Sequence, residues 1–213
     1  MSAAYVRILL LLLGLNMATG ILGGASPDTY ELSRQEDKVV FFGDSITDYC
    51  DLEEYYPDLN TVNLGIAGNT SGEMLDRIQA VYDQEPDIVV ILGGANDLFQ
   101  DIPEDDIVSN IRSIILGIQE HVPRAKILLQ SVYPVTEGSP ITFNRRIMTL
   151  NGRLEGVAFE LDCTYVDLFS ILRTEDGRLQ DVYSLDGVHL TEEGYAATCP
   201  VITAILEEML GQG

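Results

Sequence analysis

Residues 38–48 read Lys38-Val39-Val40-Phe41-Phe42-Gly43-Asp44-Ser45-Ile46-Thr47-Asp48, and the rest of the chain is arranged around them. Val39 to Phe42 is a β-branched and aromatic run of strand length. Gly43 ends the run with a residue that permits a sharp turn. Ser45 then stands where a chain leaves a strand to enter a helix. In an open α/β sheet that carboxyl-end position is where ligands bind. A buried strand thus delivers one hydroxyl to the rim of a crevice. Read alone, the stretch is better explained by Asp44 or Ser45 capping the next helix. Three later stretches reverse that reading.

Outward from this strand the chain alternates. Residues 61–66 form a second strand-like run, and residues 71–84 carry Met74, Leu75, Ile78 and Val81 on one helical face. Residues 87–92 suit a buried strand. Residues 103–121 place Ile107, Ile111, Ile114, Ile115 and Ile118 at helical spacing, with Pro103 and three acidic residues in the first turn. A fourth strand is expected over 126–132, a helix over 143–159, a fifth strand over 163–169 and a closing helix over 191–210. Pro200 is expected to kink or split that last helix. Strands alternating with helices imply a five-stranded parallel sheet covered on both faces. Right-handed crossovers bring all the strand ends to one rim.

Four segments meet there. They are Gly43-Asp44-Ser45, then Gly65-Ile66-Ala67-Gly68-Asn69-Thr70, then Gly93-Gly94-Ala95-Asn96-Asp97, and, before the last helix, Ser184-Leu185-Asp186-Gly187-Val188-His189. Each has a plain reading. Gly65 and Gly68 serve as turn glycines, Asn96 or Asp97 as a cap, Asp186 as a turn former and His189 as a satisfied rim histidine. Together they supply a hydroxyl, an imidazole, a carboxylate and hydrogen-bond donors, which are the parts of nucleophilic acyl transfer.

These blocks, in this order, resemble those of the SGNH/GDSL serine hydrolase family. Gly43-Asp44-Ser45 with Ile46-Thr47 resembles the first block, Gly68 the second, Gly94-x-Asn96-Asp97 the third and Asp186-x-x-His189 the last. The resemblance implies a flavodoxin-like three-layer α/β/α sandwich and ester hydrolysis without metal or cofactor. Ser45 would be the nucleophile, His189 the general base and Asp186 its orienting partner. The Ser45 and Gly68 backbone N–H groups and the Asn96 side chain would form the oxyanion hole. Family members include lysophospholipases, thioesterases and carbohydrate acetylesterases. No G-x-S-x-G elbow is present.

Composition narrows the partners. Beyond Ala25 the chain holds 34 acidic and 11 basic residues, a net charge of −23. So little Lys and Arg excludes nucleic acid and disfavours anionic lipid. Residues 1–25 carry Arg7, then an apolar run from Ile8 to Leu15, then small residues, and no acid. That is the layout of a signal peptide, with an uncleaved membrane anchor as the minor reading. Export to the cell surface or medium is therefore expected. Residues 26–36 read as a tether and 37–213 as the hydrolase domain. Cys50, Cys163 and Cys199 form no C-x-x-C pair and read as small buried residues, with one disulfide open to an exported protein. His121 reads as a surface residue at a helix end.

The loops at 48–60, 133–142 and 170–185 are expected to frame the pocket, bringing Tyr49, Tyr55, Tyr56, Tyr133 and Tyr183. No long apolar lid is visible. This leans toward short-acyl esters, on a small molecule or a glycan, with a lysophospholipid still open. Two rivals remain. One is a flavodoxin-like nucleotide or phosphate binder using residues 65–72. The other is a catalytically silent glycan-binding protein.

Overall fold

The computed structural model describes residues 37–136 and 140–211. The expected signal or anchor (1–25) and the whole of the tether (26–36) lie outside the described residues. Five strands, β1 (Lys38–Gly43), β2 (Asn60–Gly65), β3 (Ile88–Leu92), β4 (Lys126–Gln130) and β5 (Thr164–Val166), form one parallel sheet in the order β2-β1-β3-β4-β5. This is the expected α/β/α sandwich. β1 lies between β2 and β3, so the three segments that follow these strands are neighbours.

The three central strands, β1, β3 and β4, are buried on both faces, and their period of two divides the core. Val40, Phe42, Val89, Ile91, Ile127 and Leu129 enter one apolar cluster, while Val39, Phe41, Ile88, Val90 and Leu128 enter the other. The first cluster is closed by α6 (Glu104–His121), through its five isoleucines, and by α7 (Pro140–Glu160), through Ile147, Leu150 and Leu154. The second is closed by α9 (Glu192–Gly211), through Tyr195, Cys199, Ile202 and Leu206.

Short helices fill the links: α1 (Ser45–Asp48), α2 (Leu52–Tyr55), α3 (Ser71–Asp76), α4 (Gln79–Tyr82), α5 (Ala95–Phe99) and α8 (Phe169–Leu172). Several boundaries differ from expectation. The helix expected over 71–84 is two, α3 and α4, broken at Arg77 and Ile78. The break coincides with Arg77 reaching the carbonyls of Gly43 and Leu64. β4 stops at Gln130 because Asn151 takes both backbone groups of Val132, at 2.7 and 2.9 Å. β5 stops at Val166, and the Leu168 and Phe169 N–H groups then donate to the buried Ser131 hydroxyl. Pro200 does not split α9, which is continuous and carries core residues on both sides of it. Burial there outweighs the lost hydrogen bond.

Candidate active site

α1 begins directly after β1, and Asp44 caps it by accepting from the Ile46 N–H at 3.1 Å. The capping reading of this stretch is therefore correct for Asp44, while Ser45 is turned to another use. The Ser45 hydroxyl lies 3.0 Å from His189 Nε2, and His189 Nδ1 lies 2.6 Å from Asp186 Oδ2. Serine, imidazole and carboxylate thus form one hydrogen-bonded line. Its members come from the end of β1 and from the segment before α9, 144 residues apart.

The carboxylate is fixed by its own turn. Asp186 Oδ1 accepts from the Val188 N–H at 2.9 Å, the His189 N–H at 2.8 Å and the Ser184 hydroxyl at 3.2 Å. Desolvation pushes this carboxyl up. The hydrogen bonds from the His189 ring and from the two N–H groups outweigh it and hold the carboxyl well below its usual range. Asp186 is therefore ionised at any working pH, although its side chain is 56% exposed. An ionised partner keeps the Nδ1 proton in place and leaves Nε2 free to accept from Ser45.

Gly68 lies in the loop after β2 and Asn96 at the start of α5. The loop after β2 is tightly tied. The Ile66 N–H donates to Gly43 O, the Ala67 N–H to Asp48 Oδ2, the Asn69 N–H to Ile66 O and the Thr70 N–H to Glu73. The Gly68 N–H alone in this loop has no acceptor among the described residues. Gly68 has φ +82°, and a Cβ built on it would meet nothing within 4 Å. Glycine is needed there for its left-handed backbone rather than for want of space. Asn96, second residue of α5, donates from Nδ2 to Asn69 O at 2.9 Å, which brings it beside Gly68. The structure thus links Ser45, His189 and Asp186 in one line and ties Asn96 to the loop that carries Gly68. Gly68 offers a free N–H, and Asn96 an amide, on two linked segments of the rim. The same loop does not suit a phosphate, because its other N–H groups are spent and Asp48 sits against it.

A narrow recess adjoins the site, walled by Ile46, Leu92, Val132, Val135 and Val188. Two of the expected pocket tyrosines, Tyr56 and Tyr133, are instead buried in the core. Tyr133 still reaches the recess wall. Tyr49 is exposed and lies 5.2 Å from the His189 ring, centroid to centroid. The buried Asp97 accepts from the Ser71 N–H and hydroxyl and so ties α5 to α3. Burial pushes the Asp44 carboxyl up to about 6, against the Ile46 N–H and the nearby His189. His121 is exposed and stacks on Tyr82, away from the site. The three cysteines carry free thiols. Cys199 is buried as expected, whereas Cys50 and Cys163 are half-buried. Ser184, Asn69 and Arg77 were not visible as site residues in the sequence. Ser184 stands two residues before Asp186, and Arg77 is a basic residue on an otherwise apolar face.

Comparisons with known proteins bear on this geometry. A family model, the GDSL-like lipase/acylhydrolase family, matches residues 41–197. Platelet-activating factor acetylhydrolase IB subunit alpha2 of Rattus norvegicus is 25% identical over 183 residues, which is 83% of this chain and 79% of the rat protein. N-acylneuraminate cytidylyltransferase of Escherichia coli is 31% identical over 161 residues, 74% of this chain. The match spans only 37% of that enzyme's length. A solved GDSL-like lipase of Bacteroides thetaiotaomicron superposes with a TM-score of 0.74 at 28% identity, covering 86% of this chain and 92% of that one.

Proposed function

Because the chain belongs to the GDSL-like lipase/acylhydrolase family, we propose that its catalytic serine is Ser45 and that its preferred substrates are short-acyl esters. The enzyme is a serine hydrolase of carboxylic esters. The observation that carries the residue assignment is the line from Ser45 Oγ through His189 to Asp186, at 3.0 and 2.6 Å.

Ser45 Oγ attacks the acyl carbonyl as His189 Nε2 takes its proton. The carbonyl electron pair moves to oxygen, where the N–H groups of Ser45 and Gly68 and the Asn96 amide receive it. His189 returns the proton to the departing alkoxide, which leaves as the alcohol. Water then repeats the sequence on the acyl-enzyme and releases the acid. Asp186 stays ionised throughout and stabilises the imidazolium.

The recess beside the serine supports a short acyl group. The space in it open to water is only about 20 Å³, room for little more than one water molecule. The name of the rat relative, an acetylhydrolase, agrees with this. Export through residues 1–25 is part of the same proposal, supported by their composition. The test is turnover of p-nitrophenyl esters of graded chain length. Acetate to butyrate should be cleaved fastest. A maximum at twelve or more carbons overturns the short-acyl reading and leaves the serine assignment intact.

A further inference from the structure

We propose that Arg77 is a positioning residue for the oxyanion hole, acting on two of its donors, Gly68 and Asn96, without touching substrate. This rests on Gly68 and Asn96 being those donors. Arg77 follows α3 and belongs to none of the four rim segments. Its guanidinium donates from Nη2 to Gly43 O at 2.8 Å, from Nη1 to Leu64 O at 2.7 Å and from Nε to Asn69 Oδ1 at 2.6 Å. It lies over the Phe42 ring, 4.5 Å from its centroid. One planar cation thus joins the ends of β1 and β2 to the loop that holds Gly68.

The third contact extends the effect. Asn69 is gripped by Arg77 through its side chain, and its carbonyl receives the Asn96 Nδ2 donor. A shift of Asn69 therefore moves both proposed donors, Gly68 through the chain and Asn96 through its hydrogen bond. Arg112, Arg146, Arg153 and Arg178 all meet carboxylates, whereas Arg77 has none among the described residues. Desolvation lowers its pKa, in the direction expected for a charge taken partly out of water. In so acidic a chain, this arginine serves as a three-way fork to neutral oxygens. That geometry is open to guanidinium and closed to ammonium.

Full-length Arg77→Met, Arg77→Lys, Asn69→Ala, Asn96→Ala and Arg77→Met/Asn96→Ala proteins should be compared on p-nitrophenyl acetate. Rates are referred to active sites titrated with a fluorophosphonate, and folding is checked by melting temperature. Arg77→Met should lower kcat about tenfold or more with KM within about twofold, because displacing donors weakens the transition state selectively. Arg77→Lys should not recover it, and added methylguanidinium should partly restore Arg77→Met. In the Asn96→Ala background the same substitution should cost less than about threefold, because the two then act on one unit. The pH profile should not move, since His189 and Asp186 are untouched. If Arg77→Met does not fold, Asn69→Ala removes only the loop contact and should reproduce the kcat loss. Full additivity with Asn96→Ala, or a normal kcat in folded Arg77→Met, overturns the role of Arg77. A normal kcat in folded Asn96→Ala overturns the oxyanion reading beneath it, and this proposal falls with it.

Discussion

At the scale of single residues, the site divides into groups that move a proton and groups that receive charge. His189 and Asp186 belong to the first kind, Asn96 to the second. His189→Ala should be severe, and adding Asp186→Ala should cost little more, because the two act as one unit. Asn96→Ala should lower turnover about a hundredfold or more while Ser45 still labels with a fluorophosphonate. Steady-state kinetics on folded variants checks both. Asp44 offers a test by pH. Its carboxyl titrates near 6 when folded, against 3.8 as its ordinary value. The fold thus prefers the neutral form. That contribution is fully present below about pH 4 and is lost as pH rises through about 6. Asp44→Asn keeps a capping oxygen and cannot ionise. It should be more stable than wild type by about 3 kcal/mol at pH 8 and no different below pH 4, read by urea unfolding.

At the scale of elements, strands and long helices were legible because their apolar periods are local. The five isoleucines of α6 and the run Val39–Phe42 need no distant partner to be read. What was not legible depends on partners far away in sequence. β4 ends where Asn151 captures Val132, and the helix over 71–84 breaks where Arg77 turns to the strand ends. Tyr133 was expected to frame the pocket but is buried with its hydroxyl on Gln130. Alternation alone does not show which tyrosine a core will absorb. Ser45, Asp186 and His189 were legible through their motifs, while Ser184 acts through its hydroxyl on Asp186, and Asn69 through contacts with Arg77 and Asn96, which composition does not reveal. The Asn151 contact gives an element-scale prediction. Asn151→Ala leaves the N–H and C=O of Val132 without partners in a buried site. It should cost about 2–4 kcal/mol in urea unfolding, with Asn144→Ala, which frees Val135 in the same way, in the same range.

At the scale of the whole molecule, charge and the first residues matter. The portion beyond Ala25 carries −23, and its ion pairs are mainly single surface contacts that contribute little. Self-repulsion should therefore be relieved by salt, which screens across about 10 Å at 0.1 M. The melting temperature should rise from low to molar salt, and an unchanged value would mean that local pairing already compensates. A protein beginning at Pro27 should stay soluble and keep the esterase activity of the full chain. Loss of activity there, with the full chain active in detergent, would assign residues 1–26 a structural role. The assignment of Ser45, activated by His189 and Asp186, as the nucleophile is tested most directly by intact-mass analysis after fluorophosphonate treatment, paired with turnover of Ser45→Ala. One adduct should form on Ser45 of the wild type, none on the folded variant, and the variant should hydrolyse p-nitrophenyl acetate at or near background. A folded Ser45→Ala protein that takes the adduct elsewhere, or turns over at the wild-type rate, contradicts the account.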